Sequence, residues 1–244
     1  MSFRFKQFSV DDSRCAMKVG TDGVLLGAWL SITTRKKKIA VLDIGTGSGL
    51  VALMLAQRFP SATITAIDID NEAILQASSN FASSPWTDRL NAINVPLQDF
   101  LPDEHFDLIV SNPPYFVNSL KNPDAARSTA RHTGSLSYED LIRHSNRLLD
   151  PYGSLALVLP AEAEEPIISL AKSYDFYPIQ LTRVSTRRGK EPKRILVTFS
   201  KEQMYYCEQG ALAPECYTTS LCLSHSADGR RSEEYKELTK DFYL

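Results

Sequence analysis

The chain has little with which to hold a metal or build a disulfide framework. Its four cysteines, Cys15, Cys207, Cys216 and Cys222, include no C-x-x-C pair, and its four histidines form no H-E-x-x-H pattern. No metal site and no set of bridges is expected, and reduced thiols suit a cytoplasmic location. No apolar run reaches the roughly 18 residues that a membrane-spanning helix needs. Met1 to Asp12 lacks an apolar h-region, so no signal peptide is expected there. Excess charge is missing too: 27 Lys and Arg against 29 Asp and Glu give a net charge of −2. No global field draws nucleic acid to such a chain, so any RNA contact must use local patches. Internal repeats and low-complexity segments are absent.

What is present is a length of 244 with 43% apolar residues, enough for one well-buried α/β core. Residues 1–35 read as an N-terminal extension that packs on the core, with one helix over Asp22–Ser31. Residues 36–244 read as one catalytic domain. Apolar strands alternate with helical segments near Asn71–Phe81, Ser137–Leu149 and Glu162–Ser173, with a further strand at Ser154–Leu159. This alternation predicts a doubly wound, mostly parallel sheet of Rossmann-like type that closes with an antiparallel hairpin at the sheet edge. Residues 201–244 are expected to add a strand and a short helix on the edge of the same domain.

Two segments carry chemistry. Ile39–Ile44 is an apolar strand, followed by Gly45-Thr46-Gly47-Ser48-Gly49 and the apolar helical run Leu50–Phe59. Strand, glycine-rich turn and helix form the setting of a nucleotide-binding loop. The next strand ends at Asp68, 19 residues beyond Gly49, a spacing suited to a carboxylate that accepts from ribose hydroxyls. The loop is not G-x-G-x-x-G, and no P-loop pattern occurs. Asp43, two positions before the first glycine, would repel a pyrophosphate and favour a cationic amino-acid group. These features point to S-adenosylmethionine rather than NAD. A third strand, Leu90–Val95, runs into Gln98, Asp99 and Phe100, where Asp99 could accept from an adenine amine with Phe100 beside the ring.

The second segment is Phe106-Asp107-Leu108-Ile109-Val110-Ser111-Asn112-Pro113-Pro114-Tyr115. A buried strand runs into two prolines that stop it and stiffen the turn. The turn fixes an amide, a carbonyl and an aromatic ring at a strand's C-terminal end, where open α/β sheets bind ligands. Two acceptors complement the two donors of a planar –NH2 group, and Tyr115 could stack on a base. A planar base amine and a planar amide both fit this description.

With these residues in place, the chain resembles the class I S-adenosylmethionine-dependent methyltransferases whose Asn-Pro-Pro-Tyr motif serves amino-group methylation. Phe3–Phe8, Met17–Trp29 and Ser232–Leu244 are similar to the ends of the bacterial tRNA(Val) adenine-37 N6-methyltransferases. The resemblance implies methyl transfer to N6 of an adenine in tRNA. It implies Asn112, Pro113, Pro114 and Tyr115 as the catalytic motif. It implies cofactor contacts from Thr21, Asp22, Asp43, Gly45, Thr46, Gly47, Gly49, Asp68, Gln98, Asp99, Phe100 and Asn112. For RNA, the hairpin Arg183–Arg194 has six basic residues and one acid. Arg187, Arg188, Lys190, Lys193 and Arg194 are candidate phosphate contacts there, with Arg131 in the loop 116–135 and the run Arg35–Lys38 as further candidates. The expected partners are tRNA but no membrane and no metal, and the chain is expected to act as a monomer. N5-methylation of a protein glutamine and N2-methylation of a ribosomal RNA guanine remain open at this stage. An NAD-dependent oxidoreductase and a catalytically silent RNA-binding module are disfavoured by the loop spacing and the intact motifs.

Overall fold

The computed structural model describes residues 2–32, 36–114, 136–201, 215–225 and 230–243. The N-terminal segment forms a two-stranded antiparallel sheet, β1 (Ser2–Arg4) and β2 (Ser9–Asp11), and helix α1 (Thr21–Trp29). An eight-stranded sheet then runs in the order β10-β8-β9-β7-β6-β3-β4-β5. Its strands are β3 (Ile39–Ile44), β4 (Ala62–Asp68), β5 (Leu90–Asn94), β6 (Phe106–Ser111), β7 (Leu149–Pro160), β8 (Tyr177–Ser185), β9 (Pro192–Ser200) and β10 (Tyr217–Cys222). The helices that follow α1 are α2 (Leu50–Arg58), α3 (Asn71–Ala82), α4 (Tyr138–Leu148), α5 (Glu164–Lys172) and α6 (Glu233–Thr239).

Strands β3 to β7 are parallel, because helices connect them and cover both faces. Alternation along each strand sorts the core. Val41, Leu108, Val110, Ala156 and Val158 face α1 and α2. Leu42, Ile44, Ile109, Leu155 and Leu157 face α4 and α5. The expected hairpin is β8–β9, with β9 antiparallel to both β7 and β8. It does not form the sheet edge. Strand β10 lies outside it, parallel to β8, with Tyr217 opposite Gln180 and Cys222 opposite Ser185.

Helix α1 is buried from Gly23 to Trp29. Its amphipathic character is weak because neighbours enclose it on several sides. Trp29 Nε1 donates to Thr182 Oγ1 at 2.8 Å, and Arg58 Nη1 donates to the carbonyl of Gly27 at 2.8 Å. A side chain on Gly27 would start 2.7 Å from Met54 Sδ and 2.9 Å from Met54 Cβ, so glycine is what lets α1 and α2 approach. Gly27→Val should therefore destabilise the fold by about 2 kcal/mol or more, read as a lower midpoint in urea unfolding. An unchanged midpoint would show that the two helices can separate without loss.

Candidate active site

The parallel register brings three strand ends together. Ile44 pairs with Ile67 of β4 and with Ser111 of β6. The next residue on each strand is Gly45, Asp68 and Asn112, so the glycine loop, the acid and the Asn-Pro-Pro turn start side by side at strand spacings of about 4.8 Å. Ser111 Oγ donates to the carbonyl of Ile44 at 2.8 Å and ties the two loops. The chain leaves β3 toward β4 and β5 on one side and returns to β6 and β7 on the other. The site therefore lies at the topological switch point of the sheet.

The glycine loop folds around backbone bonds. Gly45 and Thr46 N–H donate to the carbonyl of Ile67 at 2.9 and 3.1 Å. Gly47 N–H donates to Asp68 Oδ2 at 2.9 Å, and Asp70 N–H to Asp68 Oδ1 at 3.0 Å. Gly45 (φ 69°) and Gly47 (φ 55°) are left-handed, and a Cβ on either would meet nothing within 4 Å. The loop thus presents bare backbone to open space. Gly49 (φ 79°) has another role: it caps α2, and its Cβ would lie 2.5 Å from the Phe81 ring. Asp43 lies beneath the loop, 2% exposed, and accepts from Thr46 Oγ1 at 2.7 Å. Burial pushes its carboxyl up to about 7.

These residues line an open cleft of about 1210 Å³. Asp43, Gly45, Thr46, Gly47, Asp68, Gln98, Asn112, Pro113 and Pro114 border it, as do Thr21 and Asp22 of α1. Its size exceeds the usual small-molecule pocket and leaves room for a second reactant. In its lining Asn112 Nδ2 approaches Met17 Sδ at 3.8 Å, while Asn112 Oδ1 is buried with no hydrogen-bond partner among the described residues. A buried acceptor without a donor costs about 1–3 kcal/mol. That orphan oxygen and the uncovered glycine backbone suit a bound nucleoside and an incoming amine. The cleft's buried thiol, Cys15, is pushed up to about 11 by burial and is a packing group rather than a nucleophile.

The other expected residues fall in different places. Phe100 does not line the cleft; it is 8% exposed and stacks on Phe106 at 6.1 Å in the core. Gly49 and Asp99 are also outside the lining, whereas Gln98 is part of it. Lys193 and Arg194 belong to β9, not to the hairpin tip, and both border the cleft. Arg194 Nε pairs with Asp22 Oδ2 at 2.9 Å, so the two form a latch between α1 and the sheet. Arg183 pairs with Glu164 of α5. Lys36 pairs with Asp107 at 2.5 Å and Asp150 at 3.1 Å at the base of the sheet. Arg187, Arg188 and Lys190 are exposed at the tip as expected. Tyr115, Arg131 and Arg35 lie outside the described residues.

The segment before α1 is closed by contacts that have no local sequence signal. Lys18 Nζ donates to the carbonyls of Asp12, Ser13 and Cys15 at 2.7, 3.3 and 2.9 Å. Asp12 Oδ2 accepts from Val19 N–H at 2.9 Å, a bond that lowers the Asp12 carboxyl from its ordinary value. The closed loop holds Met17 over Asn112. A lysine six residues beyond Asp12 and five beyond Ser13 has no distinctive local pattern, so only the fold exposes this tie.

A glycine loop, an acid after the second strand and an Asn-Pro-Pro turn after the fourth define a Rossmann-like methyltransferase. The methyltransferase small domain model matches residues 21–177. A crystal structure of a predicted O-methyltransferase from Agrobacterium tumefaciens superposes with a TM-score of 0.68 and 20% identity, covering 91% of this chain and 96% of that one. More specifically, the chain belongs to the tRNA1(Val) (adenine(37)-N6)-methyltransferase family. It is 46% identical over 243 residues to the Aeromonas hydrophila member, covering 99% of this chain and 97% of that protein. The Parabacteroides distasonis member is 48% identical over 244 residues with the same coverage.

Proposed function

We propose that this protein transfers a methyl group from S-adenosylmethionine to N6 of adenine 37 in tRNA(Val). The observation that carries the reading is the orphan Oδ1 of Asn112, a residue that lines the glycine-loop cleft. The relatives' names supply the acceptor base.

S-adenosylmethionine, when bound, supplies a methyl group on a sulfonium for in-line displacement. Gly45 and Gly47 leave their backbone open to it, Asp68 would accept from its ribose hydroxyls, and Gln98 would contact its base. Asp43 faces its ammonium group. On the acceptor side, Asn112 Oδ1 and the Pro113 carbonyl each take one N–H of the adenine amine. This draws the nitrogen lone pair out of the ring and stabilises the positive charge that grows during attack. Holding both reactants in one cleft supplies about 7–11 kcal/mol of the barrier. The methylated nitrogen loses its proton to water, and no side chain is needed as base. Tyr115 completes the motif as a stacking surface, and the target base leaves its stack to enter. Arg187, Arg188 and Lys190 at the hairpin tip contact phosphates, and one copy of the chain suffices.

Asp43 gives this account a pH signature. Its folded carboxyl is raised from 3.8 to about 7, so without cofactor the folded state binds an extra proton between those values. Stability from this group is full below its unfolded pKa and is lost as pH rises through about 7. The ionised form attracts the cofactor's ammonium, so affinity should fall as pH drops from 7.5 to about 6. Asp43→Asn should be at least as stable as wild type at pH 8, yet bind cofactor weakly and with little pH dependence. A variant with wild-type affinity would remove Asp43 from the site.

The function itself is tested by incubating the protein with methyl-labelled S-adenosylmethionine and separate tRNA, ribosomal RNA and protein fractions. Label should enter tRNA. Label in a protein glutamine instead would overturn the reading.

A further inference from the structure

A second groove, of about 780 Å³, runs between the two ends of the chain. Arg4, Lys6, Arg231, Lys236 and Lys240 border it, and no carboxylate among the described residues does. In a chain of net charge −2 this is a local concentration of one sign. Tyr235 and Tyr243 line its floor, with Phe5 packed behind them. Phe5 stacks on Tyr243 at 5.9 Å, Tyr235 lies 6.3 Å from Tyr243, and the Arg231 guanidinium sits 4.7 Å from the Tyr235 ring. The floor is also fixed: Lys6 N–H donates to the carbonyl of Phe242 at 2.8 Å, and Lys6 Nζ to that of Lys240 at 2.5 Å.

We infer that this groove binds the phosphate backbone of the RNA whose base enters the active-site cleft. The inference rests on the tRNA reading above and adds a surface to it. Its main support is continuity: Val19, Gly20 and Thr21 border both the groove and the cleft. A strand lying in the groove therefore passes the lip over which a base must turn to reach Asn112. Spacing agrees, since Lys236 and Lys240 are one helical turn apart, about 6 Å along the axis, comparable with the separation of successive phosphates. Lys236 and Lys240 pair with Glu233 and Glu237 at 2.7 and 2.5 Å. Such exposed pairs contribute little, so both ammonium groups can exchange a carboxylate for a phosphate. The exposed Phe3 at the rim offers a ring to an unstacked base.

The test compares wild type with Arg4→Gln/Lys236→Gln/Lys240→Gln, three residues that do not line the cleft. Binding to unmodified tRNA is measured across a salt series, with cofactor binding and turnover measured in parallel. Removing three phosphate contacts should make the slope of log K against log salt shallower by about 2–3. It should raise KM for tRNA about tenfold or more, with kcat and cofactor affinity unchanged. Arg4→Lys/Lys236→Arg/Lys240→Arg should restore the slope. An unaltered slope and KM would overturn the inference. A wild type that binds tRNA but never methylates it would count against the proposed function, while the slope would still decide the groove.

Discussion

Asn112→Ala should lower kcat by about 10²-fold or more while leaving S-adenosylmethionine affinity within a few-fold of wild type. The large effect follows from when the interaction forms. The amide oxygen has no partner among the described residues of the free protein, and its charge stabilisation grows only as the amine attacks, so its loss falls on the chemical step. Stability should move the other way. Removing an unsatisfied buried acceptor relieves a cost, so the alanine variant should unfold no earlier than wild type. Falling activity with maintained stability separates a functional asparagine from a structural one. A near-wild-type rate would sink the role.

Asp68→Ala should weaken S-adenosylmethionine binding by about 10²-fold, the effect of losing two charge-assisted hydrogen bonds of 1.5–3 kcal/mol less what water returns. Asp68 also holds Gly47 and Asp70 by their N–H groups. Asp68→Asn separates these contributions, because its amide oxygen can keep one backbone bond while the negative charge is gone. The alanine variant should lose affinity and loop order together, and the asparagine variant should lose mainly affinity. Unchanged calorimetry in both would remove Asp68 from the cofactor site.

The cofactor half of the site was legible because its physics is local. Glycines at 45 and 47 answer to positive φ, and the strand–turn–helix context lies within one short stretch. Asn112 was legible because two prolines end β6 at a known place. What was not legible depends on long-range packing. Phe100 follows a polar turn much as a ligand-facing ring would, and only the neighbouring Phe106 shows that it belongs to the core. The Asp22–Arg194 latch joins residues 172 positions apart, so each looked free in sequence. The edge strand expected within residues 201–244 is there as β10, but its bounds and its pairing with β8 were not legible, because Tyr-Thr-Thr-Ser-Leu-Cys is mostly polar and lacks the apolar run that marks a central strand. The basic groove has no local signature either: its charges come from residues 4 and 6 and from 231–240, and neither set is dense alone.

The cleft and the family together make one prediction that can be read at a single atom. Unmodified tRNA(Val) incubated with the protein and S-adenosylmethionine, then digested and mapped by mass spectrometry, should carry one added methyl group, as N6-methyladenosine at position 37. Methyl on another base or another position, or none on tRNA while a protein glutamine is modified, would contradict the account.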